Sequence, residues 1–293
     1  MNTGFSNEFV EQVMSEITPF QHLSGTEHVA PLLYSMIRML RPETVVEFGT
    51  GYTTPYILLA LKHNEEDFKQ HQRILKKKAV KHYSKLSDAQ RGTMEIESWW
   101  QTEVTQDVYG SEPILPVPEY YLKPYRPHLF SFEVLPAEDP YVEKLANLVS
   151  KMGLGKNFTL NTGARVKDYI DLIPKDRLPI DFAWNDFGNK YRFWQETYKS
   201  VNSDGGVLAF HNTTNSETDF KEDLDKVQEA IKPLLQEQQC ELMTFLEPHK
   251  FTQRSLTVLR KLDGFKEAYF EDARADFDRD LIKLSRLSST QFP

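Results

Sequence analysis

Cysteine is nearly absent from this chain of 293 residues. Cys240 alone can form neither an internal disulfide nor a thiolate metal cluster. Basic residues are in deficit: 35 Lys and Arg stand against 43 Asp and Glu, a formal net charge of -8. A binder that neutralises phosphates needs the opposite balance, so no nucleic-acid partner is expected. No segment approaches the roughly 18 unbroken apolar residues that span a bilayer, and the opening run MNTGFSNEFVEQVMSEI has glutamates where a secretory leader has a basic start and an apolar middle. The expectation is a soluble cytoplasmic protein without a membrane partner.

What is present is an alternation of periods. Apolar residues recur at three and four from Ser6 to Met39, predicting helices before the first strand. ETVVEFG then reads as a buried strand, and TPYILLALKHN as a helix with Pro55 in its first turn. Strand-like HLFSFEVLP, NFTLNTG, PIDFAWNDFG and GVLAFHNT follow. They are separated by the helix-like runs DPYVEKLANLVSKMGLG, ARVKDYIDLIP and KYRFWQETYKSVNSDGG. After a helix around Lys221 to Leu235, CELMTFLEP and SLTVLRKL suit an antiparallel hairpin at a sheet edge. Repeated βαβ units with right-handed crossovers make the fold class α/β: a doubly wound, Rossmann-like, mostly parallel seven-stranded sheet with an antiparallel edge hairpin.

The chain divides into an N-terminal helical segment, 1–40, a main domain, 41–262, and a charged helical tail, 263–293. Residues 64–127 exceed an ordinary connection and read as an inserted cap. Its first part, KQHQRILKKKAVKHYSK, is a basic helix whose Lys76, Lys77 and Lys78 suit a solvated face. Trp99, Trp100, Tyr120, Tyr121 and Tyr125 suit an aromatic lid over a small acceptor, or else plain packing or a homodimer contact.

In such a sheet, ligands bind beyond the carboxyl ends of the strands. Gly49 and Gly51 allow a tight turn and close approach after the first strand, and Glu47 adds negative charge. No lysine follows as in a triphosphate-binding loop, and Glu47 suits a cationic, amino-acid-bearing ligand better than a phosphate. A mere strand-to-helix turn is the plainer reading of the glycine pair. Glu133 ends the second strand, where a carboxylate can take both hydroxyls of a ribose. Gly163 and Ala164 leave room for a flat group, while Asn185, Asp186, His211 and Asn212 reach the mouth from the fourth and fifth strands.

The runs VVEFGTGYTT, FSFEVLP, TLNTGARVKDYI, IDFAWNDFGNKY, SDGGVLAFHNT and SLTVLRK resemble, in order and spacing, the class I S-adenosylmethionine-dependent methyltransferases, in particular the small-molecule branch related to catechol O-methyltransferase. The resemblance implies S-adenosyl-L-methionine as cofactor. It implies Glu47, Gly49, Gly51 and Thr53 around the methionine part, Glu133 at the ribose, Gly163 and Ala164 beside the adenine, and Asp186 at the same crevice. Metal-dependent relatives carry an Asp-Asn pair after the fifth strand. Here Asn212 stands where an aspartate is expected, and one carboxylate with one amide suits magnesium poorly, so no metal is expected. His211 is the candidate general base, with Asp186 orienting it or holding substrate; a histidine satisfying nearby backbone is the plainer alternative. His22 and His28 are secondary candidates in the covering segment, and Trp184 and Trp194 are assigned to packing. Transfer goes to oxygen or nitrogen of a small molecule. Aminocarboxypropyl transfer from the same cofactor and a non-catalytic adenosyl-binding scaffold are the rival readings.

Overall fold

The computed structural model describes residues 4–19, 25–84, 87–88, 121, 123–167, 169–213, 221–250 and 255–262. Helices α1 (Asn7–Glu16) and α2 (Val29–Leu40) precede β1 (Thr44–Phe48) and α3 (Thr53–Tyr83). Then come β2 (His128–Phe132), α4 (Pro140–Lys151), β3 (Phe158–Asn161), β4 (Phe182–Asn185), α5 (Lys190–Thr197), β5 (Val207–His211), α6 (Lys221–Gln236), β6 (Cys240–Leu246) and β7 (Ser255–Lys261). The sheet is seven-stranded in the order β3-β2-β1-β4-β5-β7-β6. The first five strands in that order pair in parallel; β7 runs antiparallel to both β5 and β6. The expected fold class is therefore the observed one.

Every residue of β1 is buried because helices cover both faces of the sheet. The pleat sends Val45 to one face, against Leu33, Ile37, Ile57 and Leu145, and Val46 to the other, among Phe130, Tyr169, Phe193 and Ile231. Helix α4 begins where local chemistry dictates: Asp139 accepts a 2.9 Å hydrogen bond from the Tyr141 amide, and Pro140 occupies the first turn. Strand order reverses between β1 and β4, so the crevice opens beyond Phe48 and Asn185.

Three local readings need correction. The first crossover helix does not stop near Asn64. It continues unbroken to Tyr83, taking up the basic run that the sequence suggested was a separate helix. Its middle is held by tertiary bonds: Asn64 donates to the Ile37 carbonyl at 2.8 Å, and Arg38 pairs with Asp67. Secondly, the run ARVKDYIDLIP forms no α-helix. It carries a 3-10 turn at Tyr169–Leu172, with Val166, Tyr169 and Ile173 still turned into the core. Gly163, with φ of +66°, and Pro174 confine it to a stretch too short to repay helix nucleation.

The third correction concerns the aromatic lid. Tyr125 is buried and donates to the Pro42 carbonyl at 2.9 Å; Tyr121 bonds to Arg41 and stacks on Phe68 with ring centroids 5.5 Å apart. Both lie at the start of β1, the end of the sheet opposite the glycine turn. Trp99, Trp100 and Tyr120 lie outside the described residues, as do His22 and the 263–293 tail. Trp184 and Trp194 pack as expected, the first within the core and the second stacked on Tyr191 and Tyr198. Among the described residues, no helix is long and apolar enough to cross a membrane.

Candidate functional site

The turn after β1 is built by backbone demands. Gly49 has φ of +93°, and a β-carbon there would sit 3.2 Å from the Asp186 carbonyl. Its amide donates to Phe132 O at 3.0 Å, and the Asp186 amide donates to Phe48 O at 2.9 Å, so the ends of β1, β2 and β4 are tied together. At Gly51 the close neighbour is Tyr141, whose hydroxyl oxygen would be 2.8 Å from an added β-carbon and donates to Thr50 O at 3.2 Å.

Glu133 closes over the same turn. Its Oε2 accepts from the Thr50 amide at 3.2 Å and the Thr50 hydroxyl at 2.8 Å, and its Oε1 accepts from the Leu135 amide at 3.1 Å. A carboxylate offers about four acceptor positions. The arrangement therefore leaves one, on Oε1, where the sequence suggested a grip on both hydroxyls. Ala164 donates its amide to Glu133 O at 2.9 Å, and among the described residues nothing lies within 4 Å of a β-carbon built on Gly163. The strand-end carboxylate and the open small-residue corner are thus adjacent.

Glu47 points inward. It is fully buried and accepts three hydrogen bonds of 2.7 Å, from the hydroxyls of Thr53, Thr54 and Ser131. Burial is the main cause that pushes its pKa up to about 7, against the three hydroxyl donors, with Asp186 adding to the rise. Glu47 and Thr53 support the turn from beneath and present no surface to the crevice.

Asp186 and His211 meet. Nδ1 of His211 lies 2.7 Å from Oδ1 of Asp186; the His211 side chain is 2% exposed and that of Asp186 26%. Nε2 of His211 is enclosed and has no hydrogen-bond partner among the described residues. Of the two side chains, Asp186 is the partly exposed one and His211 is buried behind it. Asn212 adopts φ of +55° at the end of β5, its amide donating to Ser255 O at 2.7 Å. Asn185 bonds locally, accepting from the Phe187 amide at 3.3 Å.

Two residues at this edge were not singled out from the sequence. Tyr141 sits at the start of α4; burial first, then the charges of Glu133, Glu47 and Asp186, raise its phenol well above the ordinary value. Lys190 opens α5, buried, with Nζ donating to Phe187 O at 3.0 Å; burial lowers its pKa against the charges of Asp186 and Asp223. Both could have been found by one rule: in a βαβ unit, the first turn of each helix lies beside the carboxyl ends of the strands.

A cavity of about 760 Å³ opens at the other end of the sheet among Arg41, Glu43, Arg126, Arg177 and Asp181. Its charges are engaged structurally: Asp181 accepts from the amides of Glu43 and Thr44, and Arg177 donates to Arg126 O. Ligands of doubly wound sheets bind at the opposite edge, so size does not make it the site.

By sequence, no family model and no curated protein matches the chain. Solved structures do. The SAM-bound O-methyltransferase TomG from Streptomyces achromogenes superposes with a TM-score of 0.55 at 12% identity, over 89% of this chain and 92% of its own. The SAH-bound O-methyltransferase from Bacillus cereus gives 0.53 at 10% identity, over 89% and 93%. The SAH-bound methyltransferase PaMTH1 from Podospora anserina gives 0.52 at 9%, over 89% and 90%. At these identities the likeness establishes the fold alone: this chain shares the architecture of these three proteins.

Proposed function

We propose that the chain is an S-adenosyl-L-methionine-dependent methyltransferase acting on oxygen or nitrogen of a small molecule, without a catalytic metal. One observation carries the reading: Glu133 and Tyr141 both bond to Thr50, and Asp186 is tied to the same turn, at the point where strand order reverses. The SAM- and SAH-bound neighbours of the same fold support it.

The residues present fit the cofactor. Glu133 has an acceptor position left for a ribose hydroxyl, Gly163 leaves open space where adenine would lie, and the turn at Gly49 to Gly51 backs the amino-acid arm. When bound, the cofactor supplies an electrophilic methyl group and leaves as S-adenosylhomocysteine. In-line transfer asks the protein mainly for alignment and for somewhere to put the acceptor's proton. Asp186 would stand toward the acceptor, and the Asp186–His211 pair would take up the proton that its O–H or N–H gives up. Lys190, at the start of α5 near Asp186, is the next titratable side chain along this edge.

Calorimetry with S-adenosylhomocysteine tests the reading: saturable binding in wild type, weakened in Glu133→Ala, supports it. Absence of binding at millimolar ligand overturns it. Once an acceptor is found, S-adenosylhomocysteine as product separates methyl transfer from aminocarboxypropyl transfer, which leaves methylthioadenosine. Full activity in EDTA supports metal independence.

A further inference from the structure

Away from the crevice, the start of α2 meets the end of the β6–β7 hairpin. Glu27 and His28 come from the first, Glu247 and His249 from the second, and one ligand atom from each lies within 4.8 Å of all the others. The two imidazole rings meet edge to face, 5.0 Å between centroids. We propose that these four side chains form a site for a divalent transition-metal ion of the zinc class.

The plainer reading is a surface ion-pair cluster centred on Lys250. Its ammonium lies 2.8 Å from Glu27 Oε1 and 2.8 Å from Glu247 Oε2, and also donates to Gly25 O at 2.6 Å. That reading accounts for one oxygen of each carboxylate only. The other two, Glu27 Oε2 and Glu247 Oε1, are enclosed and have no hydrogen-bond partner among the described residues. Leaving two such acceptors unsatisfied is unfavourable. Two carboxylates and one ammonium leave a net negative charge for a cation to neutralise.

The donor set selects the class of ion. Two imidazoles with two carboxylates suit zinc and its neighbours, whereas calcium and magnesium prefer all-oxygen surroundings. Lys250 then acts as a positioning residue, holding each carboxylate by one oxygen and leaving the second for the metal. The ion would join two segments more than 200 residues apart in sequence, fastening the covering helices to the strand pair that flanks β5. The proposal does not depend on methyl transfer and does not involve Asp186.

The full chain is stripped with EDTA and titrated with Co²⁺, followed by visible absorption, and with Zn²⁺, followed by calorimetry. Expected are visible ligand-field bands, one ion per chain, and an affinity at least ~100-fold lower in His28→Ala and in His249→Ala, since loss of a direct ligand exceeds the 10–100-fold cost of losing an outer partner. Both histidines are exposed, so these variants keep the fold; His→Gln versions check this. Asp186→Asn should bind as wild type. Absence of Co²⁺ bands, a loss under tenfold in both histidine variants, or a loss in Asp186→Asn instead would overturn the site.

Discussion

The hydroxyl of Thr50 donates a 2.8 Å hydrogen bond to Oε2 of Glu133, fastening the turn after β1 to the end of β2. This bond fixes the carboxylate so that its free acceptor position is on Oε1. Glu133→Ala should weaken S-adenosylhomocysteine binding by about 1–3 kcal/mol, the scale of a lost hydrogen bond to a charged group. Thr50→Val, which loosens the carboxylate without removing it, should cost less. Calorimetry checks both, and an unchanged dissociation constant in Glu133→Ala removes this residue from the site.

If Asp186 is the group that faces the acceptor, Asp186→Asn should lower turnover by about 10²–10⁴, the usual range for a positioned acid or base. Its affinity for S-adenosylhomocysteine should change little by comparison. His211→Asn should retain part of the activity with an altered pH–rate profile, because His211 acts through Asp186. Equal turnover in Asp186→Asn and wild type would move the proton acceptor elsewhere, and Lys190→Met is then the next variant to assay.

Gly49 and Gly163 make a matched test of backbone strain. Both have positive φ, but only at Gly49 would a β-carbon press on neighbouring backbone, at Asp186. Gly163→Ala should cost about 1–2 kcal/mol, the left-handed penalty alone. Gly49→Ala should cost more, read from urea midpoints at constant m-value. Equal losses would mean that the contact with Asp186 is relaxed without cost.

The buried carboxyl of Glu47 predicts a pH dependence of stability. Its pKa rises from an ordinary 4.5 to about 7 on folding. Between those values the folded chain holds more protons than the unfolded one, so stability falls as pH rises from about 4.5 to about 7. The full effect, reached above pH 7, is about 3 kcal/mol. Glu47→Gln should flatten that stretch of the curve; an identical slope in both proteins would mean that Glu47 is ionised throughout.

The strands and the crevice were legible because period and turn chemistry agree there. Val45 and Val46 face opposite cores as alternation demands, and the paired glycines mark a turn that only glycine makes easily at residue 49. The length of α3 was obscured by its polar middle. Lys62, His63 and Asn64 look like a helix end, yet His63 lies 2.8 Å from the Tyr34 hydroxyl and Asn64 binds α2, bonds made between residues far apart in sequence. The absence of glycine and proline from Tyr56 to Tyr83 was the signal available. The direction in which Glu47 and His211 point was not legible either. Residue type and strand position bring a side chain to an edge, but whether it faces ligand or neighbour depends on hydroxyls such as those of Thr54 and Ser131.

Strand β7 lies between β5 and β6, although it is the last of the three to be synthesised. Until Ser255–Lys261 leaves the ribosome, the strand carrying His211 has one bare edge, and β6 has no sheet to join. Thr213, just beyond His211, donates its amide to the Ser255 hydroxyl at 2.8 Å. A nascent chain halted before Ser255 would therefore hold its glycine turn and Glu133 in place while the neighbourhood of Asp186 stayed unfinished.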